Sequence, residues 1–378
     1  MRAVIFTHKQ YRAELLFPFS LTTAVEEMPA GMLTNRRRWE LIAATALKSD
    51  PNACWHIPAH LVPSEAVVSL LNTLSPGASL QFENGAVAGY GSMDTVFDGG
   101  AAVPAGTASF LEYSWDIFER NVALLQFDFS LLTAGRRSAP LREGNRCTNE
   151  AAVFIEEGAD VRFSIINAEE GPVYISKNAL VMEGTCIRGP VFIGENAVVK
   201  MGSKIYGGTT IGHDCTVGGE IKNSVFFPFS NKGHDGYVGD SVIGHWCNLG
   251  GGTTTSNMKN TAGRIRIELP TGAVKAGTKC GVLMGDYSRA AINSSFNTGT
   301  VTGICSNIFG NGLTPKWIPS FSWGYDTAIA YDLENALAHL ERWMQTKKQV
   351  LTDTERNLIT HIYNQQKQRN HETANSSG

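Results

Sequence analysis

The hydrophobic positions from residue 151 onward repeat every six residues, a period found in neither α-helices nor simply alternating strands. A six-residue unit can form one short strand and one turn, and three units complete a triangular coil that stacks on the next at ~4.8 Å. The pattern predicts a hexapeptide-repeat parallel β-helix over residues 151–324, with the sixth position facing inward. Its first eight members, all β-branched aliphatic residues, are Ile175, Val181, Ile187, Ile193, Val199, Ile205, Ile211 and Val217.

The six-residue repeat is interrupted twice. Val217 and Val238 are 21 residues apart, three more than three full hexads, so we expect part of GGEIKNSVFFPFSNKGHDGY to loop out. The segment RIRIELPTG alternates polar and apolar residues before a Pro-Thr-Gly turn, which predicts a hairpin that leaves the β-helix. The hydrophobic repeat resumes at Val238, Ile243 and Leu249, and again at Met284, Ala290, Phe296, Thr302 and Ile308.

Different patterns flank the repeat. Residues 1–140 are expected to form an α/β domain, with a strand at RAVIF and helices at RRRWELIAATALKS and SWDIFERNVALLQFDFSLLT. The polar segment GRRSAPLREGNRCTNE is predicted to be a linker. Residues 325–378 are predicted to form a helical tail for docking or assembly, because Leu333, Leu337, Leu340 and Met344 make an apolar stripe. Thr352 and Glu355 form a capping box for a second helix.

Composition limits the classes of partner. With 18% charged residues and a formal charge of -3, nothing electrostatic favours nucleic acid or an anionic membrane. No apolar run reaches the ~18 residues of a membrane span, and the first residues lack a secretory signal core, so we expect a cytoplasmic protein. The seven cysteines are odd in number and form no C-x-x-C pair, which argues against a disulfide framework and a zinc site and predicts small buried thiols.

The first interruption carries the groups suited to chemistry. His234 in SNKGHDGYVGD is a candidate general base, because the pKa of histidine is ordinarily near neutrality. We interpret His213, His245, His339 and His361 as plainly solvated. His234 differs from them by its neighbours in sequence, which are Glu220, Lys222, Tyr237, Asn248, Gly250, Gly251, Gly252 and Asn257.

The stretch from KIYGGTTIGHDC to NLGGGTTTSNMKN closely resembles the acetyltransferase half of bifunctional UDP-N-acetylglucosamine diphosphorylase/glucosamine-1-phosphate N-acetyltransferases. The resemblance covers residues 155–324 and is greatest to a variant sugar-nucleotidyltransferase branch of Bacteroidetes-type bacteria. It implies a left-handed β-helix, opposed to the usual right-handed crossover, and a homotrimer with active sites shared between subunits. It also implies metal-free transfer of an acetyl group from acetyl-CoA to an amino sugar phosphate such as glucosamine-1-phosphate, for cell-envelope precursors.

The same resemblance implies roles for individual residues. His234 matches the catalytic base, and Glu220 and Lys222 match an E-x-K pair that contacts the amino sugar and its phosphate, with Glu220 counted among the catalytic residues. The backbone N–H of Gly251 is the implied oxyanion donor. Tyr237, Asn248 and Asn257 match residues lining the sugar and acyl pockets, and Gly251 and Asn257 are assigned to acyl-donor binding.

The sequence departs from the better-known branch at two places. Lys204 and Tyr206 lie where a substrate-binding arginine is expected, and Met258 replaces a tyrosine. The reaction type is therefore better supported than the amino sugar or the acyl donor.

The N-terminal part supports an alternative. Usual sugar nucleotidyltransferases open with a strand and a Gly-rich loop that holds a triphosphate, yet this chain has no glycine before Gly31. LLFPFSLTTAVEEMPAGMLTNRRRWEL and LEYSWDIFERN resemble the variant branch, which implies a divergent nucleotidyltransferase-like fold. We interpret Arg36, Arg37 and Arg38 as a solvated helix face. A UTP-dependent, Mg²⁺-requiring sugar-1-phosphate nucleotidyltransferase and a non-catalytic sugar-nucleotide-binding trimer stay open as alternatives.

Overall fold

The dominant feature of the fold is a parallel β-solenoid between residues 146 and 318. A computed structural model describes residues 4–326 and 329–376. Three sheets of six, nine and eight strands run along the solenoid, and each strand pairs in parallel with the equivalent strand one coil further on. The predicted hexapeptide-type β-helix is thus confirmed, while its left hand stays a prediction.

We number the three sheets as faces in chain order. Face 1 contains Arg146–Thr148, Ile165–Asn167, Cys186–Arg188, Lys204–Ile205, Glu220–Lys222 and Tyr237–Gly239, followed by the strand pair Thr254–Thr255 and Ser295–Phe296. Face 2 contains Val153–Ile155, Val173–Ile175, Val191–Ile193, Thr209–Ile211, Val225–Phe226, Val242–Ile243, Val282–Met284, Thr300–Thr302 and Trp317–Ile318. Face 3 contains Asp160–Val161, Leu180–Val181, Val198–Val199, Thr216–Val217, Asn231–Lys232, Asn248–Leu249, Arg289–Ala290 and Asn307–Ile308.

The core of the solenoid is the predicted hexad series. All eight residues from Ile175 to Val217 are at most 2% exposed. Parallel, in-register pairing stacks like residues from successive coils, so each aliphatic side chain is covered by those above and below it. The later members belong to the same buried set: Val238, Ile243, Leu249, Met284, Ala290, Phe296, Thr302 and Ile308.

The first interruption shortens the coil, so the prediction that residues loop out is wrong. Ile205 pairs with Ile221, Ile211 with Phe226 and Val217 with Lys232, and Ile221 in turn pairs with Val238. After Val217 the inward residues are therefore Ile221, Phe226, Lys232 and Val238, and the successive spacings are four, five, six and six residues. Four short strands take the place of three hexads and a loop. One inward position is held by a lysine, which the sequence analysis did not anticipate.

The second interruption is the predicted hairpin. Strands Arg266–Leu269 and Gly272–Lys275 pair antiparallel, with Leu269 opposite Gly272. Ile265, Ile267 and Leu269 are buried in the hydrophobic cluster that the solenoid shares with the N-terminal region.

The N-terminal region is a mixed five-stranded sheet with short helices, as the α/β prediction requires. It packs on the outer side of face 2, where the rings of Phe19 and Phe227 lie 5.2 Å apart. The sheet order is Val4–Thr7, Cys54–Pro58, Val87–Gly91, Ala78–Gln81 and Ala101–Ala102. Two strand pairs accompany it, Pro29–Ala30 with Leu33–Thr34 and Leu61–Val62 with Ser109–Phe110. The α-helices are Asn35–Thr45, Glu65–Leu71, Asp116–Glu119 and Asn121–Thr133, and the 3₁₀ turns are Ala13–Leu16, Phe19–Leu21 and Val25–Glu27. A further 3₁₀ turn, Glu150–Ala152, lies in the first coil of the solenoid.

The tail forms two helices, Leu333–Thr346 and Asp353–Ser376. Leu337, Leu340 and Met344 of the predicted stripe are buried in a cluster shared with the last coils. Thr352 and Glu355 make the predicted reciprocal capping bonds, at 2.9 and 3.2 Å. Across the residues that the structure describes, none of the helices has the length and apolarity to span a bilayer.

Candidate active site

His234 lies at a corner where the chain passes from face 3 to face 1. Successive coils place glycines at this edge, and we call residues 218–219, 233–236 and 250–252 the glycine corner. Gly219 has φ +76°, and a Cβ there would lie 2.7 Å from the carbonyl oxygen of Gly236 and 3.0 Å from that of His234. Successive backbones therefore approach more closely here than side chains would allow.

The corner places His234 against Gly251 of the next coil. The His234 side chain is exposed. A Cβ added to Gly251 would lie 3.6 Å from His234 Cβ and 3.7 Å from its Cγ. The Gly251 carbonyl accepts a 2.7 Å bond from Asn293 N–H, whereas the Gly251 N–H has no acceptor among the described residues. An imidazole beside a free backbone N–H can accept a proton while the N–H binds a developing oxyanion.

The outer side of face 1, next to the corner, carries three more of the predicted site residues. Glu220 pairs in register with Tyr237, and Lys222 pairs with Gly239. Because Ile221 points inward, Glu220 and Lys222 point outward. Lys204 pairs with Glu220 from the preceding coil. An acidic, a phenolic and two basic groups thus share one surface on adjacent strands.

Tyr237 and Asn257 belong to a hydrogen-bonded network around a buried carboxylate. Asn257 Nδ2 donates to Tyr237 Oη at 3.1 Å and to Asp240 Oδ2 at 2.5 Å. Asn223 Nδ2 donates to Asp240 Oδ1 at 2.7 Å. Burial raises the pKa of Tyr237 to about 12, and the charges of Asp240 and Glu220 add to this effect. The phenol therefore stays protonated near neutrality and can donate a hydrogen bond.

The sequence analysis missed Asp240 and Asn223. The available signal was the Gly-Asp pair in the quoted YVGD, which is hard to use because an aspartate after glycine usually marks a turn.

Asn248 is the predicted site residue that lies apart. It is on face 3, paired with Asn231 on one side and Arg289 on the other. Within the described part of the chain, its side chain makes no hydrogen bond to another predicted site residue. Both of its neighbours contact the tail: Lys347 Nζ donates to Asn231 Oδ1 at 3.1 Å, and the Arg289 guanidinium lies 5.3 Å from the Trp343 ring centroid.

The interpretation of the remaining histidines as solvated is wrong for His245. Its Nδ1 lies 3.1 Å from Oδ2 of the buried Asp286, and its backbone N–H donates to Asp286 Oδ1 at 2.8 Å. Thr22 also donates to Asp286, at 2.7 Å, so this group joins the N-terminal region to the solenoid. His339 is hydrogen-bonded to Tyr331, and His213 Nδ1 lies 2.9 Å from Asp214 Oδ2.

The arginine triplet is not the solvated face that the sequence suggested. Arg38 is fully buried and bonds both carboxylate oxygens of Asp128, at 2.6 and 2.8 Å. Arg36 bonds Glu26 and Glu27, and only Arg37 is largely exposed. Two of the three arginines are therefore occupied by carboxylates and are poor candidates for phosphate binding.

Two further expectations concern cysteines and metals. Five of the seven free thiols are buried, Cys147 is half-buried and Cys186 is exposed. In the described ranges, no group of three or more His, Cys, Asp or Glu side chains is arranged to hold a metal ion.

Comparisons with known proteins match parts of the chain. Residues 4–137 match the family model described as sugar nucleotidyl transferase. The chain is 35% identical over 106 residues to the bifunctional protein GlmU of Methanococcus maripaludis (strain DSM 14266), covering 28% of this chain and 26% of that protein. It is 34% identical over 84 residues to GlmU of Methanocaldococcus jannaschii, covering 22% and 21%.

A third relative carries both activities in its name. The bifunctional sugar-1-phosphate nucleotidylyltransferase/acetyltransferase of Sulfurisphaera tokodaii is 31% identical over 91 residues, covering 24% of this chain and 23% of that protein. The matched segments span about a quarter of the curated relatives or less. The Bacteroidetes-type branch stays a prediction. Taken together, the family model and these relatives show that the chain is similar to a sugar nucleotidyl transferase over residues 4–137 and to segments of GlmU-like bifunctional nucleotidyltransferase/acetyltransferase proteins.

Proposed function

We propose that this chain transfers an acetyl group from acetyl-CoA to the amino group of an amino sugar phosphate, with glucosamine-1-phosphate as the reference substrate. The observation that carries the proposal is the exposed His234 imidazole beside the Gly251 N–H, for which the described residues offer no acceptor. The relative from Sulfurisphaera tokodaii, whose name includes acetyltransferase activity, supports the reaction class.

The proposed reaction uses these two groups in turn. The sugar amine attacks the thioester carbonyl carbon, a C–N bond forms, and the nitrogen loses a proton to His234. The negative oxygen of the tetrahedral intermediate accepts a hydrogen bond from Gly251 N–H. The C–S bond then breaks, and the departing CoA sulfur takes the proton back from His234. A positioned base typically contributes ~10² to 10⁴ in rate, and one oxyanion donor ~10² to 10³.

Face 1 supplies the proposed sugar phosphate site. Lys222 would pair with the phosphate, with Lys204 as a second cation in place of the expected arginine. Glu220 lies between Lys204 and Tyr237 in the ladder and can accept hydrogen bonds from the sugar. The protonated phenol of Tyr237 donates to the bound substrate. Asn257 holds that phenol and is assigned, with Gly251, to the acyl donor, while Asn248 stays a predicted substrate-binding residue.

The edge that carries His234 also suggests how subunits assemble. Phe163, Met201 and Ile292 lie at the same corner in other coils and are 66%, 68% and 73% exposed. Exposed apolar side chains along one edge mark a protein contact. We infer that copies of the chain meet along this edge as a homotrimer, so that each His234 faces a neighbouring subunit.

A second candidate function is UTP-dependent nucleotidyl transfer by the N-terminal region. The match of residues 4–137 to the sugar nucleotidyl transferase model favours it. The buried pair of Arg38 and Asp128 weighs against it, because that arginine cannot also bind a triphosphate. Mg²⁺ would be needed for this reaction alone.

One assay series separates the alternatives. The full chain is incubated with acetyl-CoA and several amino sugar phosphates, and free thiol and the mass of the sugar product are followed. We expect thiol release matched by N-acetylated product. If calorimetry detects ligand binding but no tested amino sugar phosphate causes acetyl-CoA to release free thiol, the proposal is overturned and a binding protein is favoured. Mg²⁺-dependent pyrophosphate release from UTP would support the second candidate.

A further inference from the structure

A lysine lies inside the solenoid directly beside the candidate site. Lys232 is 0% exposed and pairs in register with the inward-facing Val217. Burial lowers its pKa to about 8. A buried amine is unfavourable unless hydrogen bonds replace its hydration, and an aliphatic residue would fill this inward position without that cost.

In other coils, hydroxyl groups inside the solenoid hydrogen-bond to the backbone at the edge between face 3 and face 1. A serine or threonine stands two positions before the inward residue of face 1 and donates to a backbone carbonyl of the corner. Ser203 Oγ and Thr185 Oγ1 donate to the carbonyl of Lys200 at 2.5 and 3.2 Å, and Ser294 Oγ donates to that of Ala291 at 2.8 Å. We call this set the hydroxyl column, and its members are Ser164, Thr185, Ser203, Thr253 and Ser294.

Between Ser164 and Ser294, the hydroxyl column is broken only in the two coils that form the His234 corner. The equivalent positions there are Gly219 and Gly236. A Cβ at Gly219 would lie 2.7 Å from the Gly236 carbonyl oxygen, and a Cβ at Gly236 would overlap the Thr253 carbonyl. No side chain fits at either position, so these two coils carry no hydroxyl of their own at the corner.

Lys232 supplies the missing donor from the other direction. Its Nζ donates to the backbone carbonyl of His234 and, at 3.5 Å, to that of Gly218 in the preceding coil. One ammonium group thus serves both coils from which the hydroxyls are absent. The long side chain of Lys232 reaches the corner from the inward position of face 3, so no side chain is needed at Gly219 or Gly236 and the backbones of successive coils can pack closely there.

We propose that Lys232 is a positioning residue that fixes the His234 backbone and thereby holds the imidazole against the Gly251 N–H. This inference rests on the proposed function. Lys232 touches neither substrate nor reacting atoms, so its effect on the reaction passes through the geometry of His234. A misplacement of about 1 Å in a catalytic group can cost ~10² in rate.

The test is Lys232→Met in the full chain, which keeps an unbranched side chain but removes the donors. We expect kcat to fall ~10- to 100-fold, with the KM for acetyl-CoA within ~2-fold of wild type, because a positioning defect acts on the reaction step. Amide hydrogen exchange should become faster at residues 233–236 and stay unchanged in the other coils. The matched control is Thr185→Val, which removes a hydroxyl from the same column three coils away and should leave kcat unchanged.

Several results would overturn the inference. One is a Lys232→Met protein that keeps the wild-type kcat and the wild-type rate of amide exchange at residues 233–236. Another is a Thr185→Val protein that loses as much kcat as Lys232→Met does. If Lys232→Met does not fold, Lys232→Gln keeps an N–H donor and should retain more activity than Lys232→Ala; equal activities would contradict the inference. If the wild type transfers no acetyl group, the proposed function fails, and the exchange rates alone decide whether Lys232 fixes the corner.

Discussion

At the residue scale, the candidate site depends on polar groups that stand where the repeat calls for apolar or small ones. Lys232 is a buried amine bonded to corner carbonyls. Asp240 is a buried carboxylate that accepts hydrogen bonds from Asn223 and Asn257. Buried polar groups of this kind cost stability unless every partner is in place, and when satisfied they fix one geometry. Here they hold the backbone of His234 and the phenol of Tyr237.

The lowered pKa of Lys232 predicts how stability changes with pH. Its folded-state pKa of about 8 lies below the ordinary 10.5, so between these values the unfolded chain binds more protons than the folded one. Stability contributed by this group should rise with pH from about 8 to about 10.5, by at most about 3 kcal/mol. The negative charge of Asp235 raises the pKa of Lys232 and so partly opposes the effect of burial.

The measurement is the free energy of unfolding in urea at pH 7, 8, 9 and 10, for wild type and for Lys232→Met at equal protein concentration. The difference between the two proteins should shift in favour of wild type above pH 8. Parallel curves over the whole range would show that Lys232 titrates normally.

At the element scale, the coil and the hairpin were predictable from the sequence, whereas the form of the first interruption was not. The hexad series predicts the solenoid because in-register stacking gives equivalent positions the same burial. A spacing of 21 residues, however, fits three hexads plus three residues or four hexads less three, and periodicity alone cannot separate a loop from tighter corners. The shortened step contains the adjacent pair Gly218 and Gly219, but Gly207 and Gly208 lie within a full hexad, so a glycine pair alone does not signal shortening. Once the phase is misassigned, an inward residue such as Lys232 is read as part of a loop.

Glycine substitutions test the close approach of the coils. Gly236 and Gly202 lie on the same edge with φ +123° and +68°, but a Cβ at Gly236 would overlap the Thr253 carbonyl whereas nothing lies within 4 Å of one at Gly202. Gly202→Ala should cost about 1 kcal/mol for backbone strain, and Gly236→Ala at least about 1 to 3 kcal/mol more for overpacking. Chemical denaturation measures both. Equal losses would contradict the account of the glycine corner.

At the scale of the whole molecule, the flanking regions cover two faces and leave the third open. The N-terminal region packs on face 2, and the tail reaches face 3 through Lys347 and Trp343. Within the described chain, the outer side of face 1 keeps charged residues exposed, including Lys204 and Lys222. The open face and the edge that carries His234 are therefore the surfaces where substrate and a neighbouring subunit can meet.

The proposed homotrimer predicts a variant that separates its subunits. Ile292→Asp places a charge on the apolar edge and should convert trimer to monomer, with loss of acetyl transfer, because a desolvated unpaired carboxylate is unfavourable at an interface. Val350→Asp is the control, since Val350 is 80% exposed in the tail, away from that edge. Light scattering after size-exclusion chromatography gives the masses. A trimeric Ile292→Asp protein would rule out this edge as the contact.

The most direct test of the central claim is kcat for acetyl transfer in His234→Ala, with His213→Ala as the control because His213 is a half-exposed histidine on the same solenoid. Both variants are first checked for wild-type mass and circular dichroism. The account predicts a fall of at least ~10² in His234→Ala and wild-type turnover in His213→Ala. A His234→Ala protein that turns over within ~2-fold of wild type would contradict the assignment of the base.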